Sequence, residues 1–389
     1  MTARRIDPPK VLHIVGMLDR WAVENWLLRM LAHAAARQEP VNWTFYCANA
    51  VAGSRDEDAR ALGARVIHAP VPVGRKAAFA RALRREVASG GYDVLHSHHD
   101  LISGVYLAAV AGVRIGRRIV HAHNADEDVL TPSALKQAIY RPLLRRLCLA
   151  LGDRFVGNSE HSLRTLVGSN SLDPGRHHVN YYGMDPAPFI AARPDRCAFR
   201  RALGLAASTP LLLFAGRMTP EKNPVFAVDV LAALRRRLPE AVGVFAGDGG
   251  LEGAVRDRAA ELGQTDAIRL LGWRSDVPDV MAACDWFILP HPHEPLEGFG
   301  MAVTEAQLAG LRLLLSMGVS DAPILAGASW RRLSLDAGAE AWGAAAMELW
   351  REPAPSREGA VAALRRSPMD MDYALDDLLG LYAGAERRA

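Results

Sequence analysis

The sequence predicts an α/β protein built from two doubly wound domains in tandem. Short apolar, β-branched runs alternate with longer amphipathic segments along the chain. The alternation breaks once, around residues 186–201, and then restarts with the same rhythm. The first series has strands expected at 11–15, 43–48, 65–68, 94–96, 118–122 and 154–158, with helices at 24–37, 76–89 and 135–151. Pro186, Pro188 and Pro194 sit in the interruption, which reads as a linker. Strands at 211–215, 241–246, 268–271, 286–289 and 313–316 follow. Helices are expected at 225–238, 301–309 and 371–381. The expected domains are 1–190 and 191–366, with 367–389 as a C-terminal helix returning to the first. Two such domains are expected to face a central cleft at the carboxyl ends of their strands.

Composition bounds the function. Half of the 389 residues are hydrophobic, which excludes a disordered polar chain. The formal charge of +3 gives no footprint for nucleic acid. Cys47, Cys148, Cys197 and Cys284 have no paired spacing and read as reduced core or near-core thiols. The apolar run 11–17 contains His13 and is too short for a leader or a membrane span. A cytoplasmic location is the expectation.

Two segments carry the chemistry. The first runs from Ala215 through Gly216, Arg217 and Met218 to Lys222, Asn223 and Pro224, between a strand and a helix. Gly216 permits a tight exit from the strand. Arg217 and Lys222 place a guanidinium fork and a point charge where a helix start presents free N–H groups, a combination that suits a diphosphate. An ordinary solvated loop would look the same. The second runs from Glu297 through Gly298, Phe299, Gly300 and Met301 to Glu305, with Glu305 expected in the first turn of a helix. Carboxylates accept several hydrogen bonds and suit sugar hydroxyls. A plain helix start with a charged flank is the alternative.

Together these segments resemble the retaining glycosyltransferases of the GT-B fold, the large family that includes sucrose synthases and many bacterial group 1 glycosyltransferases. The resemblance rests on Gly-Arg-x4-Lys-Asn-Pro at 216–224, Gly247-Asp248-Gly249, Leu271-Gly272-Trp273 with Asp276-Val277-Pro278, and Glu297-x7-Glu305, in that order. It extends over nearly the whole chain. It implies that Arg217 and Lys222 hold the donor diphosphate and stabilise the leaving group, that Glu297 contacts the donor sugar, and that Glu305 binds the ribose. It places backbone N–H groups of Gly298, Phe299 and Gly300 along the sugar and phosphate. It also places Gly272, Trp273 and Arg274 near the base; Trp273 fits a core position equally well.

In the first half, the family's donor-facing histidine matches His123, with His121 second. Gly16 begins the turn after the first strand, where the family has Gly-Gly-x-Glu. Here Trp21-Ala22 replaces the glycine pair before Glu24, which puts backbone contact with a phosphate there in doubt. The stretch Arg118-Ile119-Val120-His121-Ala122-His123-Asn124 is similar to the exopolysaccharide and capsule branch. Metal binding is the obvious other use of His96, His98, His99, His121 and His123. Their spacing matches neither the His-Glu-x-x-His helix nor a Cys/His site, and the family needs no catalytic metal.

The resemblance implies a same-face transfer of a hexosyl group from a UDP-sugar or GDP-mannose, with no cofactor. The acceptor hydroxyl would belong to a glycan, a lipid-linked sugar or a small molecule. A sugar-nucleotide epimerase and a non-catalytic nucleotide-sugar-binding module are the other readings. Arg141, Arg145 and Arg146 on helix 135–151 leave open a peripheral contact with the inner face of the plasma membrane, or a solvated helix face.

Overall fold

The computed structural model describes residues 7–124, 134–192, 195–294 and 296–384. The chain divides into two compact units, parting after Gly183 and again after Asp370. In the first unit, β1 (Lys10–Val15), β2 (Asn42–Cys47), β3 (Arg65–His68), β4 (Val94–Ser97), β5 (Arg117–Ala122), β6 (Arg154–Gly157) and β7 (His177–Val179) form one sheet in the order β3-β2-β1-β4-β5-β6-β7. Every pairing is parallel. The central strands are buried on both faces, as helix-covered parallel strands must be.

The second unit repeats the plan. Strands β8 (Leu211–Ala215), β9 (Val242–Ala246), β10 (Ile268–Gly272), β11 (Trp286–Leu289), β12 (Arg312–Ser316) and β13 (Trp330–Leu333) run parallel in the order β10-β9-β8-β11-β12-β13. Both sheets reverse strand order once, between β1 and β4 and between β8 and β11. Outside the carboxyl ends of such a pair, successive connections leave to opposite faces and open a crevice. The core of the second unit joins Phe214, Leu231, Phe245, Trp286 and Trp342 under the helices Pro224–Arg235 and Gly338–Arg351.

The expected elements form, with ends shifted by at most two residues except in the helix expected at 225–238, which ends three residues early at Arg235. Two edge strands were not anticipated. β7 has three half-buried residues, and β13 reads Trp-Arg-Arg-Leu, so neither carries an apolar run. The expected linker is a correction. Helices Ala187–Ala191 and Arg196–Ala202 occupy it, the second capped by Asp195, whose carboxylate accepts from Ala198 N at 2.9 Å. Part of its polar look comes from an arginine that points inward. Arg200 is 4% exposed and donates to Asp285 at the foot of β11 at 2.9 Å, and Arg196 donates to the same carboxylate. Pro194 lies outside the described residues. Met184 N donates to Met369 O at 2.8 Å, so the two chain crossings begin side by side. Cys47, Cys148 and Cys284 are buried, while Cys197 is exposed rather than near the core.

The loops after β8 and β9 lie backbone against backbone. Met218 N donates to Asp248 O at 2.7 Å, and a Cβ on Gly247 would sit 2.0 Å from Gly216 O. Gly247 also has φ of +137°. Gly247→Ala adds a steric clash to backbone strain, each costing roughly 1–3 kcal/mol. Urea unfolding of the second unit is expected to shift to a clearly lower midpoint; an unchanged midpoint contradicts this packing.

Candidate functional site

The site in the second unit is assembled at the carboxyl ends of β8 to β11. After β8, the chain passes Gly216 and Arg217 and closes a turn, with Lys222 N and Asn223 N both donating to Thr219 O. Asn223 takes a left-handed φ of +50°, and its side-chain amide donates to Pro290 O at 3.2 Å. That bond ties the loop after β8 to the end of β11. Pro224 then starts the helix, where its missing N–H costs nothing.

Lys222 thereby meets Glu297, to which its ammonium donates directly. Glu297 is fixed by its own backbone, since Glu297 N donates to Gly318 O at 2.8 Å and residue 297 bridges to Val319. Burial alone would raise the Glu297 carboxyl, but Lys222, then His291 and Arg217, outweigh it and leave it below the usual carboxylate range. His291 Nε2 lies 3.6 Å from the same carboxylate. Gly300 wraps over Glu297 at φ +74°, with the position of a Cβ only 3.2 Å from Glu297 Cγ. The helix Met301–Leu308 begins there, leaving the unsatisfied N–H groups of any helix start beside the carboxylate. Phe299 is 1% exposed and holds the turn down, so only its backbone can face a ligand.

A pocket of about 230 Å³ opens among the same loops, and Arg217, whose charge also acts on the Glu297 carboxyl, lines it. Gly216 and Arg217 from the β8 loop, Asp248 from the β9 loop, Trp273 and Arg274 after β10, and Ala302 and Glu305 line it. Ala302 and Glu305 are three residues apart and share a helix face. Glu305 lies in the second turn of its helix rather than the expected first, because the helix starts at Met301. Trp273 is 50% exposed, which removes the core reading. Arg274 pairs with Asp276 at 2.5 Å, and Arg217 with Glu221 at 3.2 Å while remaining 60% exposed.

The structure therefore gathers Gly216, Arg217, Trp273, Arg274 and Glu305 around one pocket, and Lys222, Glu297, Gly298, Phe299 and Gly300 next to it. His291 and Asn223 were not singled out from the sequence. Asn223 stands within the 216–224 motif, where it was given no role, and His291 sits at a strand exit shortly before Glu297, which was the available signal.

The first unit holds Gly16 and His123. Gly16 ends β1, and a Cβ there would approach Asn49 Nδ2 at 3.2 Å and His99 Nε2 at 3.5 Å. His123 is buried with both ring nitrogens engaged, Nδ1 with Tyr182 Oη at 2.7 Å and Nε2 with His98 Nδ1 at 3.0 Å. It belongs to a layer of five imidazoles, His13, His96, His98, His121 and His123, on one face of β1, β4 and β5. Burial pushes His13 and His123 down to about 3, and burial with neighbouring rings holds His96, His98 and His121 well below the ordinary value. The sequence showed the His-x-His pairs but not that they share a face with His13. Ser159 caps the helix Glu160–Val167, its side chain accepting from Ser162 N. On helix Ala134–Leu151, Arg145 donates to Leu166 O and Thr165 O at 3.1 Å and leaves the expected cationic face.

Comparison with known proteins places this geometry. The structure of HepE from Anabaena with UDP-glucose superposes with a TM-score of 0.76 at 17% identity, covering 97% of this chain and 100% of that one. The fold is GT-B, with two Rossmann-like domains. Residues 195–328 match the family described as glycosyl transferases group 1, and residues 23–188 match glycosyltransferase family 4. The chain is 30% identical over 330 residues to D-inositol 3-phosphate glycosyltransferase of Stackebrandtia nassauensis, covering 79% of this chain and 72% of that protein. It is 25% identical to EpsF of Bacillus subtilis, assigned as a glycosyltransferase, over 96% of both chains. This chain belongs to the group 1 glycosyltransferases and is a glycosyltransferase enzyme. Among the described residues, no helix is long and apolar enough to cross a membrane.

Breaking the Lys222–Glu297 pair from one side strands a largely buried carboxylate. Lys222→Met is expected to destabilise the second unit by about 2–3 kcal/mol, and Lys222→Met with Glu297→Gln to recover most of that loss. Denaturant titration of the three proteins measures the coupling; additive losses contradict it.

Proposed function

We propose that the protein moves a hexosyl group from a nucleoside diphosphate sugar to an acceptor hydroxyl with retention of configuration, and that a UDP-hexose is the donor. One observation carries the reading: the pocket lined by Arg217, Trp273 and Glu305 adjoins the Lys222–Glu297 pair at the switch point of the second sheet. The pocket offers an aromatic face to a base and a carboxylate to a ribose. Arg217 and Lys222 flank the place a diphosphate would then occupy. HepE, with which the chain shares its fold, is known with UDP-glucose bound, which supports a uridine donor.

The chemistry follows from charge. As the glycosidic bond lengthens, negative charge builds on the leaving diphosphate. Preplaced cations stabilise that charge at no cost in reorganisation. Lys222 is held by Glu297 before substrate arrives, so its position is already fixed. Glu297, kept ionised by Lys222, accepts hydrogen bonds from sugar hydroxyls and favours cationic character at the anomeric carbon. The departing phosphate oxygen takes the acceptor proton from the same face. The reading requires no metal or cofactor in the transfer. A role for the His123 ring at the donor sugar requires it to give up Tyr182 or His98 first; its backbone requires no such change.

The acceptor is proposed to be a hydroxyl of a glycan, a lipid-linked sugar or a small molecule, in exopolysaccharide or capsule assembly. Ile139, Tyr140 and Leu143 are exposed on the helix that carries Arg141, a surface suited to peripheral contact with an anionic membrane.

A thermal-shift panel of UDP-, GDP-, ADP- and TDP-sugars tests the donor. A ligand of micromolar affinity at millimolar concentration stabilises by roughly 4 kcal/mol, and UDP-hexoses are expected to give the largest shift. Lys222→Ala is expected to lower kcat about 10²–10³-fold and Glu305→Ala to raise the donor KM about tenfold or more, with far-UV circular dichroism unchanged. Normal turnover in Lys222→Ala would sink the reading.

A further inference from the structure

The imidazole layer of the first unit occupies positions that a parallel sheet ordinarily fills with aliphatic side chains. His13 and His96 are register partners on β1 and β4. His98, His121 and His123 extend the row. The helix Ala22–Ala36 covers it with Trp26, and the helix Met371–Ala383 covers it with Tyr382.

The hydrogen bonds in this layer have a pattern. His98 Nε2 is tied to His13 Nδ1 at 3.0 Å. His121 Nδ1 is tied to His96 Nε2 at 3.1 Å. His123 Nδ1 is tied to Tyr182 Oη at 2.7 Å. Each of the three rings thus spends one nitrogen on a separate outer partner. The nitrogens left over are His98 Nδ1, His121 Nε2 and His123 Nε2. Two of these, His98 Nδ1 and His123 Nε2, face one another at 3.0 Å. The third, His121 Nε2, is fully buried and has no partner. One nitrogen from each ring lies within 4.8 Å of one from each of the others.

We propose that His98, His121 and His123 form a three-imidazole zinc site inside the first unit, with His13, His96 and Tyr182 orienting the ligands from outside. Three nitrogens on a tetrahedral zinc ion lie roughly 3.3 Å apart, given bond lengths of about 2.05 Å. His98 Nδ1 and His123 Nε2 already stand 3.0 Å apart, whereas His121 and His123 are stacked with centroids 4.1 Å apart and must fan open for both lone pairs to meet one ion. Outer hydrogen bonds that fix the tautomer of each ligating histidine are the usual companion of such sites. The rings are also neutral, as ligation requires. A small oxygen ligand or halide completes the fourth position and offsets the buried charge. Trp26 packs against all three rings at centroid distances of 5.3–6.1 Å, and its buried Nε1–H lacks an acceptor, so it is the donor available to that ligand. The ion takes no part in the transfer proposed for the second unit.

Untagged full-length protein, dialysed against zinc and then against zinc-free buffer, is expected to retain about one equivalent of zinc by mass spectrometry. X-ray absorption at the zinc edge is expected to show imidazole scattering without sulfur. Cobalt in place of zinc should give the visible bands of a four-coordinate ion. His121→Gln and His98→Gln are expected to lose the metal, while the exposed His161→Gln keeps it. The wild-type measurements decide whether the imidazole layer holds an ion even if the ligand variants do not fold, and His121→Gln, which leaves the neighbouring group of His13, His96 and His98 intact, decides which three rings hold it. Absence of stoichiometric zinc together with absence of cobalt bands overturns the site. A sulfur scatterer overturns it too, because it would place the ion at the cluster of Cys47, Asp56 and His68.

Discussion

The contact between Lys222 and Glu297 is the interaction on which the second unit's site depends. The two residues are 75 positions apart in sequence, and neither is in a strand. They meet because β8 and β11 are neighbours in the sheet, so their exit loops leave from adjacent points. Asn223 then bridges to Pro290 and fixes the approach. The pair's worth is mostly positional. A partly buried ion pair adds little net stability, but it holds an ammonium and a carboxylate in place before any ligand arrives. Rearranging them during a reaction would cost what the fold has already supplied.

The backbone does comparable work around that pair. Gly247 and Gly249 let the β9 loop lie directly on the β8 loop, since a Cβ at Gly249 would come within 2.6 Å of Met218 O. Gly318 plays the same part under Pro292, where a Cβ would meet the carbonyl oxygen at 1.9 Å. Side chains are excluded from these contacts, and the loops become a rigid floor for the pocket. The first unit uses the same strand order differently. Its central strands carry imidazoles on one face, so a layer that elsewhere supplies only apolar burial here supplies directed hydrogen bonds. Two sheets that share the order of six strands, the first carrying a seventh at its edge, thus present different chemistry because a few inward positions differ.

Much of this was legible in the sequence. Some anticipated strands, β8 and β11 among them, carry uninterrupted apolar runs, and anticipated helices start at recognisable signals such as Pro224. The motif residues came out together because their spacing encodes neighbouring strand exits. What escaped depends on tertiary context. β13 is hidden by Arg331 and Arg332, which pair with Glu352 and Asp321. The segment near Arg196 and Arg200 read as a linker because the inward-facing Arg200 looks like a solvent-facing arginine until Asp285 is placed. Arg145 resembled a surface cation for the same reason, although it serves two backbone carbonyls. His291 carried no periodic signal. The histidine pairs on β4 and β5 were visible one strand at a time, whereas the layer exists only when β1 lies between β2 and β4.

Amide hydrogen exchange with and without a UDP-hexose tests most directly where the diphosphate rests. Slowed exchange is expected across 216–223, 247–249, 272–274 and 297–305, the loops that frame Arg217, Lys222, Glu297 and Glu305. Ligand binding that leaves these loops unchanged and protects other segments would contradict the site.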